Sequence, residues 1–212
     1  MKRLAFSLFV LTLLKVAPAD AAGTQPAAAS PDSRPAVRSW TALRDAGVIK
    51  QKFDYSCGAA SLATLLHHYY GDPVDEAAVL QQIAATGPAT FSSLSAAAAH
   101  FGYEARGYAL SLEALRQLAL PAIVFLYAGN DNHFSVLRSI DAHSVELADP
   151  SYGNRIHAIP DFLRLWTTRP SRDYPGRALV VLPRKAGLAG NAAFMRPIPA
   201  KFGGLPLRPI QP

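Results

Sequence analysis

Apolar and polar positions along this chain follow a helical rhythm first and a strand rhythm later. Leu62, Leu65, Leu66 and Tyr69 fall at i, i+3, i+4 and i+7, one face of a helix that starts at Cys57. Ser56 is its candidate N-cap, and Gly71, followed by Asp72-Pro73, its candidate stop. A second helix is predicted over Asp75 to Thr86, with Asp75 capping, Val79, Leu80 and Ile83 inward, and Gly87-Pro88 as its end. A third covers Ser92 to His100, with Leu94, Ala97, Ala98 and Phe101 on its face and Gly102 after it. A strand at Tyr103 to Tyr108 comes next, then a short helix capped by Ser111 with Leu112, Leu115 and Leu118 inside. Upstream, Arg38 to Val48 reads as either a short helix or an extended approach, with Trp40, Leu43 and Val48 as apolar contacts.

Beyond Pro121 the pattern changes. Ala122 to Leu126 is a continuous apolar run, as in a buried strand. Gly129-Asn130-Asp131-Asn132 is a turn cluster. His133 to Ile140 and Ser144 to Ala148 read as two strands joined at Asp141-Ala142-His143. Arg155 to Ile159 is a further strand candidate, Asp161 to Trp166 a short helix, and Ala178 to Pro183 the last strand. Helices first and strands afterwards predict an α+β fold with an antiparallel sheet.

The two ends differ from this middle. Met1-Lys2-Arg3, an apolar run from Leu4 to Leu14 and Ala17-Pro18-Ala19 have the form of a secretory signal peptide, assigned to residues 1–21. The run falls short of the roughly 20 residues a spanning helix needs. Lys15, between the run and the cleavage motif, leaves an uncleaved tether as the alternative. Residues 22–37 read as an Ala/Pro/Ser linker, 38–183 as the folded domain, and 184–212 as a loosely ordered Pro/Gly-rich tail. The expected location is the periplasm. The net charge of +6 is partly carried by those ends, and no basic stripe with interleaved aromatics suggests nucleic acid. With 212 residues, half of them hydrophobic, one sizeable core is feasible.

Export gives the single cysteine its interest. Cysteines of oxidising compartments are usually paired, and Cys57 has no partner in its own chain. A buried inert thiol and a reactive one both satisfy that fact alone. The flanking sequence Gln51-Lys52-Phe53-Asp54-Tyr55-Ser56-Cys57-Gly58-Ala59-Ala60 favours reactivity. A thiol in the first turn of a helix meets unpaired N–H groups and the positive end of the helix dipole, which favour the thiolate. An amide six residues upstream can donate to the oxyanion formed when that thiolate attacks a carbonyl.

Such a nucleophile needs a base. Of six histidines, His67 and His68 lie mid-helix, His100 at a helix end, His143 in a turn and His157 in a late strand. His133 opens a strand after a turn cluster, where a side chain can face a cleft. A hairpin centred on Ala142 puts Ser135 across from Asp149, which makes His133 and Asp149 diagonal neighbours about 7–8 Å apart. A one-residue slip would separate them onto opposite faces. No zinc-protease helix motif, paired-cysteine metal motif or phosphate-binding glycine loop is present in the sequence, so no metal or cofactor is expected.

Gln51-x5-Cys57-Gly-Ala-Ala, the later His133-Phe134-Ser135-Val136-Leu137 and Ala148-Asp149-Pro150 with Gly153 resemble the C39 family of cysteine peptidases, known for bacteriocin processing and double-glycine leaders. The resemblance spans about residues 48–170. It implies a papain-like α+β fold in which a helical part, with the cysteine at a helix start, packs on a C-terminal antiparallel sheet. It implies Cys57 as nucleophile, His133 as general base, Asp149 as its orienting partner and Gln51 as oxyanion donor with the Cys57 N–H. Many transporter-fused members carry Asp before the cysteine, where this chain has Ser56. A free-standing exported form is similar to those encoded with functional-amyloid or fimbrial secretion systems. The implied partner is a peptide or unfolded segment of an exported protein, with secretion components as further candidates, no nucleic acid, and no membrane span after signal cleavage. A non-cleaving binding module is the alternative, and transglutaminase-like or amidase chemistry would use the same three groups.

Overall fold

A computed structural model describes residues 39–83, 87–128 and 131–196. The signal-peptide and linker readings, Gly129-Asn130 of the turn cluster, and the last part of the tail lie outside them. No described helix is long and apolar enough to cross a membrane.

The described strands form one antiparallel six-stranded sheet in the order β1-β6-β2-β3-β4-β5. They are β1 Tyr103–Leu110, β2 Ala122–Ala128, β3 Asp131–Ile140, β4 Ser144–Asp149, β5 Gly153–Ala158 and β6 Gly176–Pro183. Side chains alternate across it, so Ile123, Val136, Leu179 and Val181 enter one core, and Val124, Leu137, Leu147 and Ala178 the other. The helices α2 Cys57–Thr64, α3 Glu76–Gln82 and α4 Phe91–His100 supply the first core. The helices α5 Leu112–Gln117 and α6 Ile159–Trp166 close the second with Leu115, Phe162 and Trp166. The α+β expectation holds. The second helical layer is an addition to it, and it explains why strands such as Ala122–Leu126 are apolar without alternation.

Every residue of α2 is buried, Ser61 and Thr64 among them, and the Thr64 hydroxyl accepts from Ile49 N at 3.0 Å. Its continuation, Leu65–Tyr69, widens into a π-turn with Tyr70 N bonded to Leu65 O at 3.2 Å. Leu62, Leu65, Leu66 and Tyr69 nevertheless all face the core. Gly71 and Gly102 adopt φ of 75° and 86° just beyond helix ends, where a left-handed residue stops the helix. Asp75, Thr90 and Ser111 cap α3, α4 and α5 through their side-chain oxygens.

Several expectations need correction. Ser56 sits at the N-cap position, but its hydroxyl turns back to the Phe53 carbonyl at 2.7 Å and makes no cap bond. The second helix ends at Gln82, because Ile83 is extended rather than helical. Trp40, in the short helix α1 (Trp40–Arg44), is 60% exposed, while Val48 takes the buried place. Residues 184–196 are not a loose tail. Asn191 N donates to Tyr69 O at 2.7 Å, and Phe194, in a 3₁₀ turn at Ala192–Met195, is only 4% exposed.

The last correction traces to Tyr69 and to one cation. A β-bulge between Leu137 and Ser139 turns Arg138 inward, where its guanidinium sits 4.6 Å over the Phe194 ring. It donates to Phe194 O (2.9 Å), Asn154 Oδ1 (2.6 Å) and Ala46 O (3.4 Å), and lies 4.0 Å from buried Glu146. The same bulge sets the register. The turn end pairs Ile140 with Val145, and past the bulge Val136 pairs with Ala148, the alignment a turn centred on Ala142 predicts.

Candidate active site

Two loops and one helix start converge at the start of β3. α2 approaches β3 closely because residue 58 is glycine: a Cβ there would stand 2.7 Å from Ala89 Cβ and 3.2 Å from the Phe134 ring. That approach brings Cys57, the first residue of α2, against the start of β3. The register carries Asp149, the last residue of β4, alongside His133.

The three side chains form one chain of interacting groups. His133 Nε2 lies 3.1 Å from Asp149 Oδ2, and the same ring and the Cys57 thiol act on each other's protonation. With Nε2 committed to the carboxylate, Nδ1 is the ring nitrogen left for sulfur. Asp149 Oδ1 accepts from Ser151 N (2.8 Å) and Tyr152 N (3.0 Å), so the carboxylate is held at both oxygens.

The electrostatics follow from these contacts. Burial pushes the Cys57 thiol up, but bonds from His133 and from the backbone at Phe134 and Gly58 outweigh it and hold the thiol below its ordinary value. Burial would drive His133 down; the Asp149 bond and then the Cys57 bond carry it to about 9. Burial would raise Asp149, and His133 with the two backbone N–H groups holds it below the usual carboxylate range. A thiolate beside an imidazolium is the form these shifts favour.

Gln51 stands at the edge of this chain. Its backbone N donates to Pro150 O at 3.0 Å and its Oε1 accepts from Ser151 Oγ at 2.7 Å, tying it to the loop that follows Asp149. Its Nε2 donates to Phe53 O at 3.0 Å, with Asp54 O at 3.5 Å. The amide nitrogen thus lies over the loop that leads into Cys57, engaged with that loop's carbonyls.

Other members of the site carry no sequence signal of their own. Lys50 Nζ donates to Ser151 O at 2.5 Å. Glu76, 2% exposed, accepts from Lys52 N at 2.9 Å and so holds the same loop from the α3 side. Lys50 adjoins Gln51, and Ser151 lies two residues past Asp149, so proximity in sequence was the available cue; for Glu76 there was none. His67, His68, His100, His143 and His157 are not among the groups bonded to Cys57. Among the described residues, no group of three or more His, Cys, Asp or Glu could hold a metal ion.

Comparison with known proteins gives the family and the fold. The sequence profile of the Peptidase C39 family matches residues 45–169. The chain is similar to a probable functional amyloid protease, FapD, of Pseudomonas aeruginosa, 36% identical over 138 residues. That match spans 61% of this chain and 61% of the relative's length. Among solved structures, a double glycine motif protease from an AMS/PCAT transporter in complex with the leader peptide aligns with a TM-score of 0.53 and 29% identity, covering 64% of this chain and 90% of that one. The peptidase domain of Streptococcus ComA, a bifunctional ABC transporter of a quorum-sensing pathway, aligns with a TM-score of 0.55 over 64% of this chain and 97% of its own. At 21% identity, that second likeness shows the fold alone.

Proposed function

From the premise that the chain belongs to the peptidase C39 family, we propose that it is a thiol peptidase that cleaves a peptide bond in an exported protein or leader. The reading rests on the His133–Asp149 hydrogen bond and on the coupling of the same imidazole to the Cys57 thiol. The thiolate attacks the scissile carbonyl carbon, and the carbonyl oxygen takes up the negative charge. The backbone N–H of Cys57, in the first turn of α2, and one Nε2–H of Gln51 receive that charge. Turning an N–H of Gln51 to the oxyanion releases the weaker of its two loop contacts, the one at 3.5 Å to Asp54.

Collapse of the adduct breaks the C–N bond, and His133 gives its proton to the departing amine. The neutral ring then takes a proton from water, whose oxygen displaces sulfur from the thioester. Asp149 keeps the ring oriented with Nδ1 toward sulfur through both steps.

Export and an amyloid-type substrate belong to the same proposal. The charged start and apolar run of residues 1–21 support passage to the periplasm. Similarity to a probable functional amyloid protease supports a role in maturing or secreting a protein of that kind. The test is mass spectrometry of proteins exported by cells that carry wild-type chain or Cys57→Ala. New peptide termini present with wild type and absent with Cys57→Ala are expected, and they name substrate and bond. Identical termini in both would refute a thiol peptidase.

A further inference from the structure

Ser151 touches both halves of the site through three different atoms. Its backbone N–H donates to Asp149 Oδ1 at 2.8 Å. Its hydroxyl donates to Gln51 Oε1 at 2.7 Å. Its carbonyl accepts from Lys50 Nζ at 2.5 Å.

The hydroxyl contact has a chemical consequence. A glutamine amide is nearly symmetric in shape but opposite in polarity at its two ends. Rotated by half a turn, Gln51 would present a carbonyl oxygen where an N–H is needed, and would repel a forming oxyanion. The carbonyls of Phe53 and Asp54, which only accept, oppose that rotation at the nitrogen end. The short bond from Ser151 Oγ holds the other end of the amide and ties it to the loop that follows Asp149.

We propose that Ser151 is a positioning residue that holds the Gln51 amide over the loop leading into Cys57, and that couples this donor to the Asp149 loop. The inference rests on the peptidase reading above. The two Ser151 functions use different atoms, so they separate by mutation. Ser151→Ala deletes the hydroxyl and keeps the backbone N–H on Asp149. The imidazole–carboxylate pair survives, and only the oxyanion donor is released.

Two probes of the same sulfur read the two functions apart. p-Nitrophenyl acetate acylates Cys57: sulfur bonds to the acetyl carbon through an oxyanion adduct, and p-nitrophenolate leaves. Iodoacetamide alkylates Cys57 by direct displacement of iodide, with no oxyanion. In Ser151→Ala the acylation rate is expected to fall about tenfold, less than the ~10²–10³ for removing a donor outright. The alkylation rate and its pH profile should stay within about twofold of wild type. Ser151→Thr, which keeps the hydroxyl, should restore acylation. Adding Ser151→Ala to Gln51→Ala should cost nothing further, since the locked group is gone.

An unchanged acylation rate in Ser151→Ala, an equal fall in both rates, or additive losses in the double variant would each overturn the proposal. Wild-type protein that releases no more p-nitrophenolate than its alkylated form, while still alkylating normally, would instead remove the peptidase reading and the inference with it.

Discussion

Replacing Asp149 with Asn removes the negative charge that keeps the His133 ring protonated and preserves the side chain's size. Burial alone would place His133 below its ordinary 6.5, yet it stands at about 9, and the Asp149 hydrogen bond does most to raise it. The difference is about 2.5 decades in proton affinity, or ~3 kcal/mol at 1.36 kcal/mol per decade. If Asp149 supplies half or more, its loss lowers the ring's proton affinity by more than about tenfold. The sign is that of a group raised on folding. Its contribution to stability is full below the ordinary 6.5 and disappears as pH climbs through about 9.

Alkylation of Cys57 by iodoacetamide across pH reads this directly. Between the lowered thiol value and about 9, wild type should react at a near-constant rate as thiolate beside imidazolium. The alkaline inflection marks loss of the ring proton. In Asp149→Asn that inflection should move down by at least about one pH unit, and the thiol's acid limb should move up as the ion pair weakens. An inflection that stays near 9 would refute the claim that Asp149 holds the ring.

Two further predictions concern the frame around the site. Gly176→Ala would place a Cβ 2.1 Å from the fully buried Trp166 ring, so urea denaturation should register a loss of ~1–3 kcal/mol or more, and an unchanged midpoint would contradict the packing described. Arg138→Met removes the donor to Phe194, Asn154 and Ala46 and leaves those acceptors unmet, so a loss of ~1–3 kcal/mol is expected, and a variant as stable as wild type would refute the role given to Arg138.

The parts legible in sequence were those fixed by local rules. Caps at Asp75 and Ser111, stops at Gly71 and Gly102, and the inward faces of α2 and α4 follow from spacing and residue type. The pairing of His133 with Asp149 was readable as well, for a subtler reason. The turn is centred half a residue later than a count over Ala142 suggests, and the bulge at Arg138 restores the alignment before it reaches the site. Without that bulge the same reading would have faced the two residues apart.

What escaped was set by tertiary contact. Ser56 had the right type and place for a cap, but the tight Phe53–Ser56 turn took its hydroxyl. Trp40 looked like an anchor and is exposed, because the helix that bears it buries none of its residues. Phe194 sat in a Pro- and Gly-rich stretch, and its pocket is made by distant residues, the inward-turned Arg138 and Tyr69. Lys50 and Glu76 act on a backbone carbonyl and a backbone N–H, which leave no trace in side-chain pattern, and the Ser151 hydroxyl meets Gln51 from 100 positions away in the chain.

The inward guanidinium of Arg138 also governs where this protein can be cut or joined. It staples the entry to the domain at Ala46 and the exit at Phe194 onto the strand that bears the imidazole. A version shortened to Pro183, where the last strand ends, would tear out one leg of that staple and loosen His133 from behind. Tags and fusion partners therefore belong beyond Arg196, and a trimmed enzyme that loses activity would be reporting a broken brace rather than a missing reagent.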